Sequence, residues 1–272
     1  MDKYLYSKPI TEKYYDIIEE RVKTNSFKLV IIIIGDREDS KVYVNIKKKK
    51  CSELGIDCIV LEYNDNIEEI IIINKIKYLN NDDSVTGIMV QLPLPKHLDK
   101  NKILFHIDEK KDVDGLHVNN IGKLMNNDIP TFYPCTPLAV TKIFEYYDIN
   151  LEGKHVVFVG TGMVNLPLSI MLLNKKASIT LCNEHTFDIK DKTNKADILI
   201  VACGQSKMIK KDWIKEDSII IDIGIHKNDG KLNGDVDLDD VIDKVKYITP
   251  VPGGVGPMTV CMLLYNLTKK IF

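Results

Sequence analysis

The sequence predicts an α/β protein of two domains built on parallel sheets, and three observations carry that reading. Apolar, β-branched runs recur along the whole chain, each ending in turn residues and giving way to a stretch of helical period. In the second half, one such run leads through a glycine turn into a helix, the order of elements in a doubly wound sheet. At 272 residues and 44% hydrophobic content, the chain has material for one large domain or two ordinary ones.

Leu29 to Ile34 is an apolar run closed by Gly35 and reads as a buried strand. Ser40 is placed to cap a helix running to Leu54, with Gly55 as its stop. A strand at 56–61, a helix at 67–79 and a strand at 85–90 follow, and Gln91-Leu92-Pro93-Leu94-Pro95 ends the last of these because proline stops a ladder. A helix near 99–107 leads into the polar loop Lys111-Asp112-Val113-Asp114-Gly115. Pro134-Cys135-Thr136-Pro137 then starts another helix at the expected domain junction. Strands are predicted at 155–159, 178–182, 197–202, 218–222 and 245–249, the spacing of a nucleotide-binding doubly wound sheet.

Lys+Arg of 37 against Asp+Glu of 39 gives a net charge of -2, so no global field argues for nucleic acid or an anionic membrane as partner. The one basic block, Lys47 to Lys50, reads as a solvated helix face apart from Lys47. Six cysteines, at 51, 58, 135, 182, 203 and 261, form no Cys-x-x-Cys pair, and the histidines do not cluster. Neither a metal site nor a disulfide framework is suggested, and the thiols are expected in a reducing compartment. The N-terminus carries no signal-like apolar segment, and the longest apolar runs are too short to span a bilayer, so a cytoplasmic location is expected.

Two constellations carry chemistry. In the second half, strand 155–159 runs through Gly160-Thr161-Gly162 into a helix at 167–173. Such a turn brings backbone amides and a helix N-terminus to a pyrophosphate, although the third glycine of the usual fingerprint is missing. Glu184 lies 24 residues after Gly160, where an acidic residue would accept hydrogen bonds from an adenosine ribose. An ordinary turn and a solvent-facing glutamate are the alternatives. In the first half, Tyr43 and Lys47 are four apart on one helix face, and Gln91 and Asp114 follow in segments that can converge with them at the carboxyl ends of parallel strands. The segment Thr249 to Thr259 packs three prolines and three glycines into a loop shaped to meet something.

Six blocks together resemble the methylenetetrahydrofolate dehydrogenase/cyclohydrolase family, in that family's order and over nearly the whole chain. They are Tyr43-Val-Asn-Ile-Lys47, Val90-Gln-Leu-Pro-Leu-Pro95, Lys111-Asp-Val-Asp-Gly115, Pro134-Cys-Thr-Pro137, Gly234-Asp-Val236 and the Thr249 to Thr259 loop. The resemblance implies oxidation of 5,10-methylenetetrahydrofolate to the 5,10-methenyl form and its hydrolysis to 10-formyltetrahydrofolate. It also implies a homodimer and two domains with a cleft between them. The expected division is 1–137, completed by a helix at 257–272, and 138–256. Lys47 would be the base of the hydrolytic step, oriented by Gln91, with Tyr43 stacked on folate and Asp114 bonded to its pterin. Leu92 and Pro257 would also line the folate site. Thr136, Gly160, Thr161, Gly162, Glu184, Gly224, Ile225 and Thr259 would receive the dinucleotide.

The cofactor implied by the resemblance is NADP. This chain departs at the 2′-phosphate end of that site, with a turn one residue shorter, a Gly162 where the family has serine, Asn165 near a family glycine, and Asn183-Glu184 after the second strand. A carboxylate there repels a 2′-phosphate, so NAD is possible or preferred unless Lys190 or Lys207 covers the phosphate. A monofunctional cyclohydrolase with a degenerate nucleotide site, a different Rossmann dehydrogenase and a nucleotide sensor are the competing readings.

Overall fold

The computed structural model describes residues 3–228 and 230–269. The chain divides into two compact units, one of residues 13–135 with 260–272, the other of residues 1–12 with 136–259. The last three residues of the expected helix 257–272 lie outside the described residues.

In the first unit, β1 (Lys28–Ile34) is the middle strand of a three-stranded parallel sheet, flanked by β2 (Asp57–Tyr63) and β3 (Gly87–Val90). That central place explains its unbroken apolar run, since Leu29 to Ile34 are buried on both faces. Around it run α1 (Lys8–Thr24), α2 (Glu38–Glu53), α3 (Glu69–Asn80), α4 (Lys100–Phe105) and α5 (Val118–Met125). Asp112 bridges Ile88 in parallel, so the Lys111 to Gly115 loop lies along β3. Gly87 permits that approach: a Cβ there would stand 2.5 Å from Val113 Cγ1 and 2.7 Å from Leu267 Cδ1.

Ser40 does not cap α2. The helix begins three residues earlier than a Ser40 cap would place it, with Arg37 at the cap position and no side-chain cap, and Ser40 is buried inside it. Glu38 and Asp39 in the first turn favour this start, because negative charge is stabilised at a helix N-terminus. Gly55 does stop the helix, in the left-handed region at φ +71°.

The second unit holds a five-stranded parallel sheet of β4 (His155–Val159), β5 (Ser178–Cys182), β6 (Ile198–Val201), β7 (Ile219–Asp222) and β10 (Tyr247–Ile248). The strand order is β10-β7-β6-β4-β5. The order therefore reverses between β4 and β6, and ligands of such sheets bind beside that reversal, beyond the carboxyl ends of the strands. The helices are α6 (Cys135–Tyr146), α7 (Asn165–Asn174), α8 (Ile189–Thr193) and α9 (Leu238–Val241); β8 (His226–Asn228) and β9 (Lys231–Asn233) form an antiparallel hairpin. α10 (Val255–Leu267) begins in this unit and continues in the first.

Strand 245–249 contracts to two residues, because the Val245 amide turns back to Val241 O. The N-terminal segment, grouped by the sequence with the first half, bridges the second sheet instead: Leu5 N donates to Ile248 O at 2.8 Å and Ile248 N to Lys3 O at 2.9 Å.

Candidate active site

In the first unit, α2 carries Tyr43 and, one turn on, Lys47. Lys47 is only 5% exposed, whereas Lys48 and Lys49 face solvent and Lys50 pairs with Glu53. Its Nζ donates to Gln91 Oε1 at 2.8 Å. Gln91 is held in turn: its amide donates to Ile32 O at 2.8 Å and its Nε2 to Leu92 O at 2.8 Å, which aims the side-chain oxygen at the amine. Burial drives the Lys47 pKa below the ordinary lysine value, and the nearby Asp114 and Cys135 only partly offset it.

Asp114 follows the Asp112 bridge, with its backbone oxygen accepting from Cys135 N at 3.2 Å. Desolvation raises its pKa, opposed by the Lys47 charge and by a hydrogen bond from the Cys135 thiol. That thiol is itself pushed well up by burial and by the Asp114 charge. Asn266 secures the loop, donating to Val113 O and Tyr133 O at 3.0 Å each. Asp112, which sequence reasoning passed over, is the buried hub beneath Asp114. It accepts from His117 N at 2.7 Å and Asn120 Nδ2 at 2.9 Å, and burial raises its pKa to about 7. Tyr43 is half-buried, and desolvation with the Asp39 charge lifts its hydroxyl to about 12, so it stays neutral.

This arrangement can do base chemistry. A neutral amide acceptor engages one N–H of the lysine and leaves the amine lone pair free; a carboxylate partner at that distance would have favoured the charged form. Leu92 stands partly buried beside Gln91, while Pro257 is exposed in the first turn of α10, within the second unit.

In the second unit, Gly160 ends β4 at φ +102°, and a Cβ there would stand 2.2 Å from Ala202 O at the end of β6. Only glycine fits that approach. Gly162 is different: a Cβ would meet nothing within 4 Å, so the fold itself leaves that space open above the turn. Thr161 is partly buried between them. Asn165 opens α7 with its Nδ2 donating to Val159 O at 3.1 Å and Gly160 O at 2.9 Å, which pins the turn, while its buried Oδ1 has no partner. An open glycine turn, a helix N-terminus and an orphaned polar atom at the strand-order reversal fit a dinucleotide.

Gly224 and Ile225 follow β7. Gly224 N donates to Asp222 Oδ1 at 3.0 Å, and Ile225 is 37% exposed. Thr259 Oγ1 is 3.3 Å from Thr136 Oγ1 and 3.2 Å from Val255 O. Glu184 is exposed over 77% of its side chain, with His185 Nε2 3.8 Å away. Lys190 pairs with Asp212 and Lys207 with Asp237, so both cations considered for a 2′-phosphate are held by carboxylates. No group of side chains that could hold a metal occurs among the described residues, and no helix among them is long and apolar enough to cross a membrane.

The fold and these two clusters define a two-domain α/β enzyme in which a buried-lysine catalytic unit is joined to an NAD(P)-binding one. The chain belongs to the tetrahydrofolate dehydrogenase/cyclohydrolase family: residues 5–114 match its catalytic domain and residues 134–271 its NAD(P)-binding domain. It is 49% identical over 244 residues to a bifunctional protein FolD of a Sulfurovum species, covering 89% of this chain and 86% of the relative. The crystal structure of the bifunctional FolD methylenetetrahydrofolate dehydrogenase/cyclohydrolase from Campylobacter jejuni is similar at TM-score 0.93 and 43% identity, over 97% of this chain and 96% of that one. The Trypanosoma brucei enzyme, solved with NADP cofactor and an inhibitor, matches at TM-score 0.89 and 34% identity, over 98% and 95%.

Proposed function

We propose that this chain oxidises 5,10-methylenetetrahydrofolate to 5,10-methenyltetrahydrofolate with NAD(P) and hydrolyses that product to 10-formyltetrahydrofolate. The observation that carries the reading is the buried Lys47 amine bonded at 2.8 Å to the fixed amide of Gln91. A bound oxidised dinucleotide would supply a hydride acceptor for the one-carbon bridge of folate, whose oxidation leaves a cation shared by two nitrogens. That step demands positioning above all, and no strong acid or base.

Hydrolysis demands more. Water adds to the bridging carbon and surrenders a proton to the neutral Lys47 amine; the carbinol hydroxyl then loses its proton to form the carbonyl as the carbon–N5 bond breaks, N5 takes a proton, and the formyl group stays on N10. Gln91 holds the amine, Asp114 accepts hydrogen bonds from the pterin, Tyr43 stacks on the aromatic part of folate, and Leu92 and Pro257 complete the folate contacts. Gly160, Thr161 and Gly162 receive the pyrophosphate, and Thr136, Gly224, Ile225 and Thr259 receive the nicotinamide end. NADP is the cofactor of the Trypanosoma brucei structure. Here Glu184 and the absence of a free cation at Lys190 or Lys207 support use of NAD as well, with weakened preference for NADP. A cytoplasmic homodimer is part of the same proposal.

The test is a spectrophotometric assay with methylenetetrahydrofolate, run separately with NAD and NADP, following the methenyl intermediate and its decay. Turnover with at least one dinucleotide, followed by hydrolysis, is expected. Hydrolysis of supplied methenyltetrahydrofolate with no dinucleotide-dependent oxidation would replace the proposal with a monofunctional cyclohydrolase.

A further inference from the structure

Asp235 is fully buried and joins three segments of the second unit. Its Oδ2 accepts from Cys203 N at 2.7 Å and Gly204 N at 3.0 Å, the residues that follow β6 at the reversal of strand order. Its Oδ1 accepts from His226 Nε2 at 2.7 Å. The carboxyl group also packs against Gly224, where a Cβ would lie 2.3 Å from Asp235 Cγ. Asp222 completes the arrangement from the other side: its Oδ1 accepts from Gly224 N and Asp235 N at 3.0 Å each, and its Oδ2 from Val236 N at 2.9 Å.

The dipeptide Gly224-Ile225 is consequently held at both ends. Its first amide is tied to Asp222, and the side chain of the next residue, His226, is tied to Asp235. The same Asp235 carboxylate fixes the loop after β6. One side chain thus sets the spacing of two loops at the carboxyl ends of adjacent strands, where a dinucleotide meets such a sheet. Without the imidazole donor, a buried carboxylate oxygen loses its partner, and that is relieved only by rearranging the loops it organises.

We propose that His226, acting through Asp235, is a positioning residue for the dinucleotide, setting the Gly224-Ile225 and Cys203-Gly204 loops that receive its nicotinamide half. The inference rests on the reading of Gly224 and Ile225 as dinucleotide-facing. It makes the imidazole a requirement for tight cofactor binding and leaves hydrolysis at Lys47 independent of it.

The experiment is calorimetric titration of NAD and NADP, with hydrolysis of supplied methenyltetrahydrofolate measured in parallel, on the full-length protein and on His226→Leu, His226→Gln and Gly162→Val. His226→Leu keeps bulk and removes the donor, so the dissociation constants should rise about ten- to a hundredfold while the hydrolytic rate stays within about twofold. His226→Gln restores a donor and should recover most of the affinity. Equal weakening by leucine and glutamine, or a parallel fall in hydrolysis, would overturn the inference in favour of a general structural role. Gly162→Val separates the two levels of the argument. If it weakens dinucleotide binding and His226→Leu does not, the inference fails alone; if neither does, the reading of the dinucleotide site fails and takes the inference with it.

Discussion

Lys47 illustrates how one burial decision sets a chemistry. Placed at the inward face of α2, with a neutral amide as its partner, it has a pKa pushed below the ordinary 10.5 by desolvation. The folded amine therefore binds fewer protons than the unfolded one between its lowered pKa and 10.5, so its contribution to stability rises with pH across that window. The same neutral form is the one that can take a proton from water. The rate of methenyltetrahydrofolate hydrolysis should thus fall as pH drops through that lowered pKa, and Lys47→Arg, whose guanidinium stays charged, should be inactive in hydrolysis throughout; an arginine variant with the native pH profile would rule Lys47 out as the base. In the proposed folate site, Asp114→Asn sets an amide donor against the pterin donors. Folate affinity should fall at least about tenfold, read by fluorescence titration, while dinucleotide affinity holds.

At the scale of elements, the strands were the legible part. Leu29 to Ile34 and Val156 to Val159 lie in interior strands of their sheets, so their burial on two faces writes an uninterrupted apolar run. What escaped was amphipathic or polar. α1 buries Ile10 and Ile18 two turns apart among polar residues, and the β8–β9 hairpin is short and largely solvent-facing, so neither leaves a strong period. In the site, Tyr43, Lys47, Gln91 and Asp114 could be singled out by residue type and order. The Cys135 thiol, the Asp112 hub and the His226–Asp235 pair depend on contacts between distant segments, which local spacing does not encode. Gly87→Ala drives a methyl into Val113 and Leu267 and should cost about 1 to 3 kcal/mol in denaturant unfolding, with folate binding weakened through the displaced Asp114 loop. Glu184 is mostly solvated, which screens its repulsion. Glu184→Ser should accordingly shift the NADP/NAD ratio of kcat/KM toward NADP by only about two- to tenfold, and an unmoved ratio would place Glu184 outside the site.

For the molecule as a whole, the two reactions draw on different resources. Oxidation needs two ligands positioned, which the proposal assigns to glycine turns and anchored loops in the dinucleotide unit. Hydrolysis needs a base, and in the proposed mechanism the buried amine in the other unit supplies it. Removing that amine should uncouple the sequence of reactions rather than abolish it. The most direct measurement follows the absorbance of methenyltetrahydrofolate and of reduced dinucleotide together, with methylenetetrahydrofolate and NAD(P), in the native protein and in Lys47→Met. The account predicts that the variant still reduces dinucleotide and accumulates the methenyl cation, because only water addition has lost its base. Equal loss of dinucleotide reduction and hydrolysis in Lys47→Met, with folate still bound, would contradict it.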